Sequence, residues 1–182
     1  HPDMHRRLDA LVRITRESGL PVVASGGFYM QRSYPPSLEG QAVDQIADAL
    51  VADAARDRLG AFGEIGQQGG VLTATETKVL QAVAKASVRT GLPLFTHNPY
   101  LGLRPGAADI PHEAALRQLD VLETAGASPA SLAIGHVCCL HDPKAAVAIA
   151  IAKRGAFVGF DRVTIALVPD ADKVVAAMAL VE

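Results

Sequence analysis

The sequence lacks most of what would mark a nucleic-acid or membrane binder. It has no tryptophan, only three tyrosines and five phenylalanines, and its formal net charge is −2 with no basic cluster. Without a positive stripe or aromatics on which bases could stack, no nucleic-acid partner is expected. No apolar run approaches the roughly 20 residues that cross a bilayer, so no membrane partner is expected either. No secretory leader is visible at the start of the chain. Cysteine is nearly absent: Cys138 and Cys139 are the only two, and they are adjacent. Neighbouring cysteines make poor disulfide partners. They read as small buried residues, one of them alternatively a reactive thiol, and the expected location is the reducing cytoplasm. Also missing is any compact metal motif of the His-Glu-x-x-His kind.

What the chain does have is apolar material and rhythm. Of its 182 residues 49% are hydrophobic, ample for a core in one domain over 1–182. Helical periodicity at 6–17, with Leu8, Leu11, Val12 and Thr15 on one face, stops at Gly19. A strand is expected at 20–25, a helix at 41–58 ended by Gly60, and a strand around Glu64. Thr73 and Glu76 have capping-box spacing at the head of a helix that runs to Thr90 and stops at Gly91. After a strand ending at His97 and a long loop at 98–111, the cycle repeats. A helix is expected at 112–124, a strand at 132–136, a helix opened by Asp142-Pro143 and ended by Gly155, a strand at 156–161 and a helix at 170–181. The strands are continuous apolar runs, which predicts a parallel sheet covered on both faces.

Four of these five strands end on a side chain with chemistry: Glu64, His97, His136 and Asp161. In a doubly wound sheet ligands gather at one switch point, whereas in a (β/α)8 TIM barrel all strand ends converge on one mouth. The pattern therefore predicts the barrel. A full barrel needs about 250 residues, so this chain is read as strands three to seven, with the first two and the last missing. Glu64 stands inside an apolar, glycine-flanked run, and burying a carboxylate there requires a partner. Together with His97 and His136, each about one β/α unit further on, it makes a set of metal ligands suited to zinc or a similar divalent ion.

Other residues have two readings. Asp161 pairs with Arg162 or caps a helix, or it supports the metals as a carboxylate or proton acceptor. Arg162 braces its loop or holds a substrate oxygen. Tyr29, beyond the Gly26-Gly27 turn, is a surface tyrosine or leans over the site. His141 is a weaker substrate-contact candidate.

The motifs Gly-Glu-Ile-Gly at 63–66, Phe-Thr-His-Asn at 95–98, Ile-Gly-His at 134–136 and Gly-Phe-Asp-Arg at 159–162 resemble, in order, those of the phosphotriesterase-related proteins of the amidohydrolase superfamily. Residues 22–29 resemble that family's third strand. The resemblance implies a barrel with two divalent metals, zinc being the expected one. Glu64 would be the bridging ligand, where the founding phosphotriesterases carry a carboxylated lysine. His97 and His136 would hold the more exposed metal, with Asp161, Arg162 and Tyr29 as the catalytic residues near the substrate. Tyrosine at 29 and arginine at 162 resemble the lactonase branch. The implied activity is hydrolysis of a lactone or carboxylic ester by an activated hydroxide. Hydrolysis of a phosphotriester or phosphodiester at the same centre is the alternative, and a non-catalytic ligand-binding barrel is the rival outside enzymes. The family's strand-one His-x-His pair and strand-eight aspartate have no counterpart in these 182 residues. A small-molecule ester, lactone or phosphoester substrate is expected, and a homodimer is compatible with the family.

Overall fold

A computed structural model describes residues 3, 5–99, 111, 113–140, 142, 144–162 and 168–181. Five strands form one sheet: β1 (Ser25–Gly26), β2 (Ala61–Gly66), β3 (Leu94–His97), β4 (Leu132–Ile134) and β5 (Phe157–Val158). Their spatial order is their chain order, and all four pairings are parallel. A sheet that never reverses its strand order has no doubly wound switch point. It curves as an arc of a (β/α)8 barrel.

The helices lie against one side of this arc. They are α1 (Leu8–Ser18), α2 (Ser37–Gly40), α3 (Val43–Asp57), α4 (Ala74–Thr90), α5 (Ala114–Thr124), α6 (Ala146–Lys153) and α7 (Asp170–Val181). Each main helix turns an aliphatic stripe to the sheet: Ile46 and Leu50 of α3, Val79 and Val83 of α4, Leu119 and Leu122 of α5, Val147 and Ile151 of α6. These meet Phe62, Ile65, Leu94, Leu132 and Ile134, all fully buried, in one continuous core. Burying side chains of this size stabilises by about 1.5–3 kcal/mol each relative to exposure, and this layer fixes the strands. The box at α4 forms: Thr73 Oγ1 accepts from Glu76 N at 3.1 Å, and Glu76 Oε2 accepts from Thr73 N at 2.9 Å.

The other face of the sheet departs from expectation. It is open: Val23, Phe95 and Phe157 are 71%, 44% and 66% exposed. Val23, Phe95 and Ala133 line a trough of about 660 Å3 that also reaches Glu64 and Asp161. The continuous apolar pattern is that of a barrel strand with a helix layer outside and other strands across the interior. Among the described residues only the helix layer is present.

Strand lengths also differ. The strand expected at 20–25 pairs only at Ser25 and Gly26, because its neighbour β2 does not begin until Ala61. The strand expected at 132–136 ends at Ile134, because His136 takes left-handed backbone angles (φ 59°, ψ 25°) and opens a short 3-10 turn over Val137–Cys139. That stop also shortens the strand expected at 156–161 to Phe157–Val158.

Two helices shift at their ends, and a third packs less than expected. α3 stops before Arg58, which adopts φ 51° itself, so the chain turns two residues ahead of Gly60. α6 begins at Ala146 rather than at Asp142, although Asp142 Oδ2 still accepts from Val147 N at 2.8 Å. α1 forms but buries no residue; Leu8, Leu11, Val12 and Thr15 line an open groove against Val22 and Ala24. His112, His141, Pro143 and the loop at 100–110 lie outside the described residues.

Candidate metal centre

β2 is irregular where it matters. Phe62 is opposite Leu94, but Ile65 is opposite Thr96, so three steps on β2 match two on β3. The extra residue is a bulge, a device that re-aims a side chain. Phe62 and Ile65 both reach the core, and Glu64 between them turns to the open face, 43% exposed. Gly63 makes this possible. Its φ is 143°, and a Cβ there would lie 2.7 Å from the Phe95 carbonyl oxygen.

β3 brings the second group. Alternation places His97 on the same side as Phe95, two residues back. Just past β4, Gly135 has no room for a side chain, since a Cβ would run into the Thr96 carbonyl oxygen. The left-handed turn at the next residue then swings the His136 imidazole inward. Glu64, His97 and His136 each contribute an atom to a cluster lying within 4.8 Å. Glu64 Oε2 is 3.3 Å from His97 Nδ1, and Oε1 is 3.3 Å from His136 Nε2. The two imidazoles stand edge to face with centroids 4.7 Å apart.

The remaining sequence candidates surround this cluster. Asp161 Oδ1 pairs with His136 Nδ1 at 2.7 Å. That contact leaves Nε2 as the nitrogen turned to Glu64, the arrangement by which a carboxylate orients a ligating imidazole. The Tyr29 hydroxyl is 3.4 Å from His97 Nδ1 and its ring is edge-on to the imidazole, 5.0 Å between centroids. Arg162 follows Asp161, and its positive charge is felt at both imidazoles, lowering their proton affinity. Its carbonyl is held by Lys173 Nζ of α7 at 2.6 Å. Cys138 and Cys139 are buried free thiols, Sγ atoms 3.8 Å apart, with Cys138 Sγ 3.9 Å from Asp161 Oδ1.

The charge distribution is that of a cation site. The His136 and His97 imidazoles hold the Glu64 carboxyl well below the usual carboxylate range, against the opposing effect of burial. Burial pushes His97 down, so it is neutral at pH 7. Burial also opposes charge on His136, but Asp161 and Glu64 outweigh it and raise that imidazole to about 9. His136 Nε2 is buried with no hydrogen-bond partner, although a carboxylate oxygen stands 3.3 Å away. Two imidazoles and a carboxylate around one point suit a divalent ion such as zinc, so the residues fit the metal.

A buried amide network supports the ligands from behind. Gln67, Asn98 and Gln118 are all fully buried. Asn98 Nδ2 donates to Gly135 O at 2.9 Å, and Gln118 Nε2 donates to His97 O at 3.1 Å. One signal was present: Gln118 interrupts the apolar stripe of Ala114, Ala115, Leu119 and Leu122 on α5.

Comparison with known proteins agrees with this geometry. The Phosphotriesterase homology protein of Escherichia coli K12 is 28% identical over 166 residues, covering 88% of this chain and 52% of that protein. The human N-acetyltaurine hydrolase is 29% identical over 138 residues, 72% of this chain and 36% of its own length. The chain thus spans about half the length of the first of these and less of the second. The crystal structure of the E. coli protein, which holds phosphate in its active site, superposes with a TM-score of 0.83 over 96% of this chain and 58% of its own, at 26% identity. A lactonase from Listeria monocytogenes shares the fold, with a TM-score of 0.79 over 97% of this chain and 57% of its own, at 23% identity. The sequence pattern of the Phosphotriesterase family matches residues 2–182, and the chain belongs to that family.

Proposed function

We propose that this chain carries part of a binuclear, metal-dependent hydrolase centre that opens a lactone or cleaves a carboxylic ester. The observation that carries the reading is the convergence of one ligand atom each from Glu64, His97 and His136 within 4.8 Å at the strand ends. His97 and His136 would hold one divalent ion, zinc being the expected one, and Glu64 would bridge it to a second. Bound there, the ions supply Lewis acidity and lower the pKa of water toward neutrality.

The chain's own residues do the rest. Asp161 orients His136 by accepting a hydrogen bond from its Nδ1–H, and is placed to accept a proton released during hydrolysis. Tyr29, with its hydroxyl 3.4 Å from His97 Nδ1, reaches the edge of the cluster, where it can donate to a substrate oxygen. Arg162 supplies positive charge against a developing oxyanion.

A second reading has one observation behind it: the E. coli neighbour, 26% identical, holds phosphate in its active site. Phosphotriester or phosphodiester cleavage would use the same groups. Metal analysis of the intact protein, with a substrate panel, tests both. Lactones, aryl esters, aryl phosphotriesters and an N-acyl amide (the relatives include N-acetyltaurine hydrolases) belong on it. About two divalent ions per chain and turnover of lactones are expected. Turnover of phosphoesters alone would replace the lactonase reading with the second one. Absence of bound metal would leave only a passive ligand-binding barrel.

A further inference from the structure

Glu64 and His97 come from adjacent strands, yet Glu64 lies inside the bulge where regular pairing between those strands is interrupted. Pairing resumes only at Ile65 with Thr96 and Gly66 with His97, the last step before the strands part. The backbone bond of that last pair, from Gln67 N to His97 O, is reinforced from outside the sheet. His97 O receives two donors there, Gln67 N at 3.1 Å and Gln118 Nε2 at 3.1 Å. The same Gln118 nitrogen donates to Gln67 Oε1 at 3.2 Å, and Gln67 Nε2 donates onward to Gly69 O at 2.7 Å.

The chemistry fixes which end of each amide is which. Gly69 O can only accept, so the Gln67 atom facing it is nitrogen and the one facing Gln118 is oxygen. Gln118 then meets two acceptors and must present its NH2 to both. Gln67 and Gln118 are fully buried and His97 is 3% exposed, so the bonds among them lie in a layer shielded from solvent behind the site. Glu76 completes the hold on the same loop, its Oε1 accepting from Gln68 N at 2.7 Å.

We propose that Gln118 is a positioning residue for the metal centre: through one amide it ties the end of β3 to the loop after β2 and so sets the separation of His97 from Glu64. The inference rests on the metal-centre reading above. It assigns to α5, which contributes no ligand, the task of keeping two ligands in place. The residue types follow from that task. A side chain on a helix stripe must reach two backbone-level acceptors at once, which an amide NH2 can do and an aliphatic side chain of the same length cannot.

The test is cobalt(II) titration of the intact protein, read by visible absorption, because the ligand-field spectrum reports the geometry around the ion rather than overall stability. Gln118→Met keeps length and removes both donors, and Gln67→Met removes the other half of the tie. Wild type is expected to bind cobalt with a defined spectrum. Each variant is expected to shift that spectrum and to weaken binding by about tenfold or more, the usual cost of disturbing groups behind a ligand. A wild-type spectrum and affinity in whichever variant folds, even with a lowered melting temperature, would make Gln118 mere core packing and overturn the inference. Failure of the wild type itself to bind cobalt would instead count against the metal-centre reading, and this inference would fall with it.

Discussion

Glu64 is paired from both sides, its two oxygens each 3.3 Å from an imidazole nitrogen. Replacing it removes the only carboxylate of the cluster but little of the core, since its side chain is 43% exposed. Glu64→Ala should therefore leave the circular dichroism spectrum and cooperative unfolding intact while bound metal falls below detection by elemental analysis. A variant that kept its metal would reduce Glu64 to a satisfied surface acid. His136 makes a separate, pH-dependent prediction. In the metal-free protein its imidazole titrates at about 9, above the ordinary value of 6.5. Its contribution to folding stability is then fully present below about pH 6.5 and lost as the pH rises through about 9. Metal must displace that proton, whereas His97, lowered by burial, has none to lose near neutrality. Zinc affinity, measured by chelator competition, should rise about tenfold per pH unit between 7 and 9 and release one proton from this group. A flat profile would mean that His136 is not a ligand.

At the level of elements, the sequence spoke clearly where a local rule and the tertiary structure agree. The α4 box was legible because Thr73 and Glu76 satisfy each other's backbone within one turn. What the sequence did not reveal is that Glu76 is fully buried and also serves Gln68. Thr73→Ala should cost about 1 kcal/mol, as for an ordinary N-cap. Glu76→Ala strands two amides at once and should cost roughly 2–4 kcal/mol in denaturant unfolding. Equal, small effects would show that the second bond contributes nothing. The existence of the strands was legible from apolar runs, but their ends were not. Those depend on the partner strand: β1 waits for Ala61, and β5 stops where His136 has turned away. The bulge in β2 had one local sign, the glycine at 63 inside an apolar strand, but its register depends on the pairing with β3. The metal-ligand candidates could be named because each sits at the end of an apolar run, whereas Gln118 shows in the sequence only as a break in the apolar stripe of α5, and its acceptors come from distant loops.

At the scale of the whole molecule, four reactive strand ends point to a barrel arc, and the unreversed strand order gives that arc a topological basis. The same arc explains the exposed apolar side chains. In a barrel the inner face of each strand packs against side chains from strands across the interior. Here Val23, Phe95 and Phe157 stand on that face with 71%, 44% and 66% of their surface in solvent. Contiguous apolar exposure of this kind drives association or dye binding in a soluble chain. Residues 1–182 expressed alone should consequently bind a hydrophobic fluorophore strongly and shift to larger species with concentration on size exclusion. Phe95→Ser with Phe157→Ser should suppress both effects, since neither side chain belongs to the buried layer between strands and helices. A longer protein of this family, about twice the length of the match, should show neither behaviour if further β/α units cover the trough. If residues 1–182 stayed monomeric and dark to the dye, the inner face would have to be closed within this chain, and the open arc would be the wrong description of it.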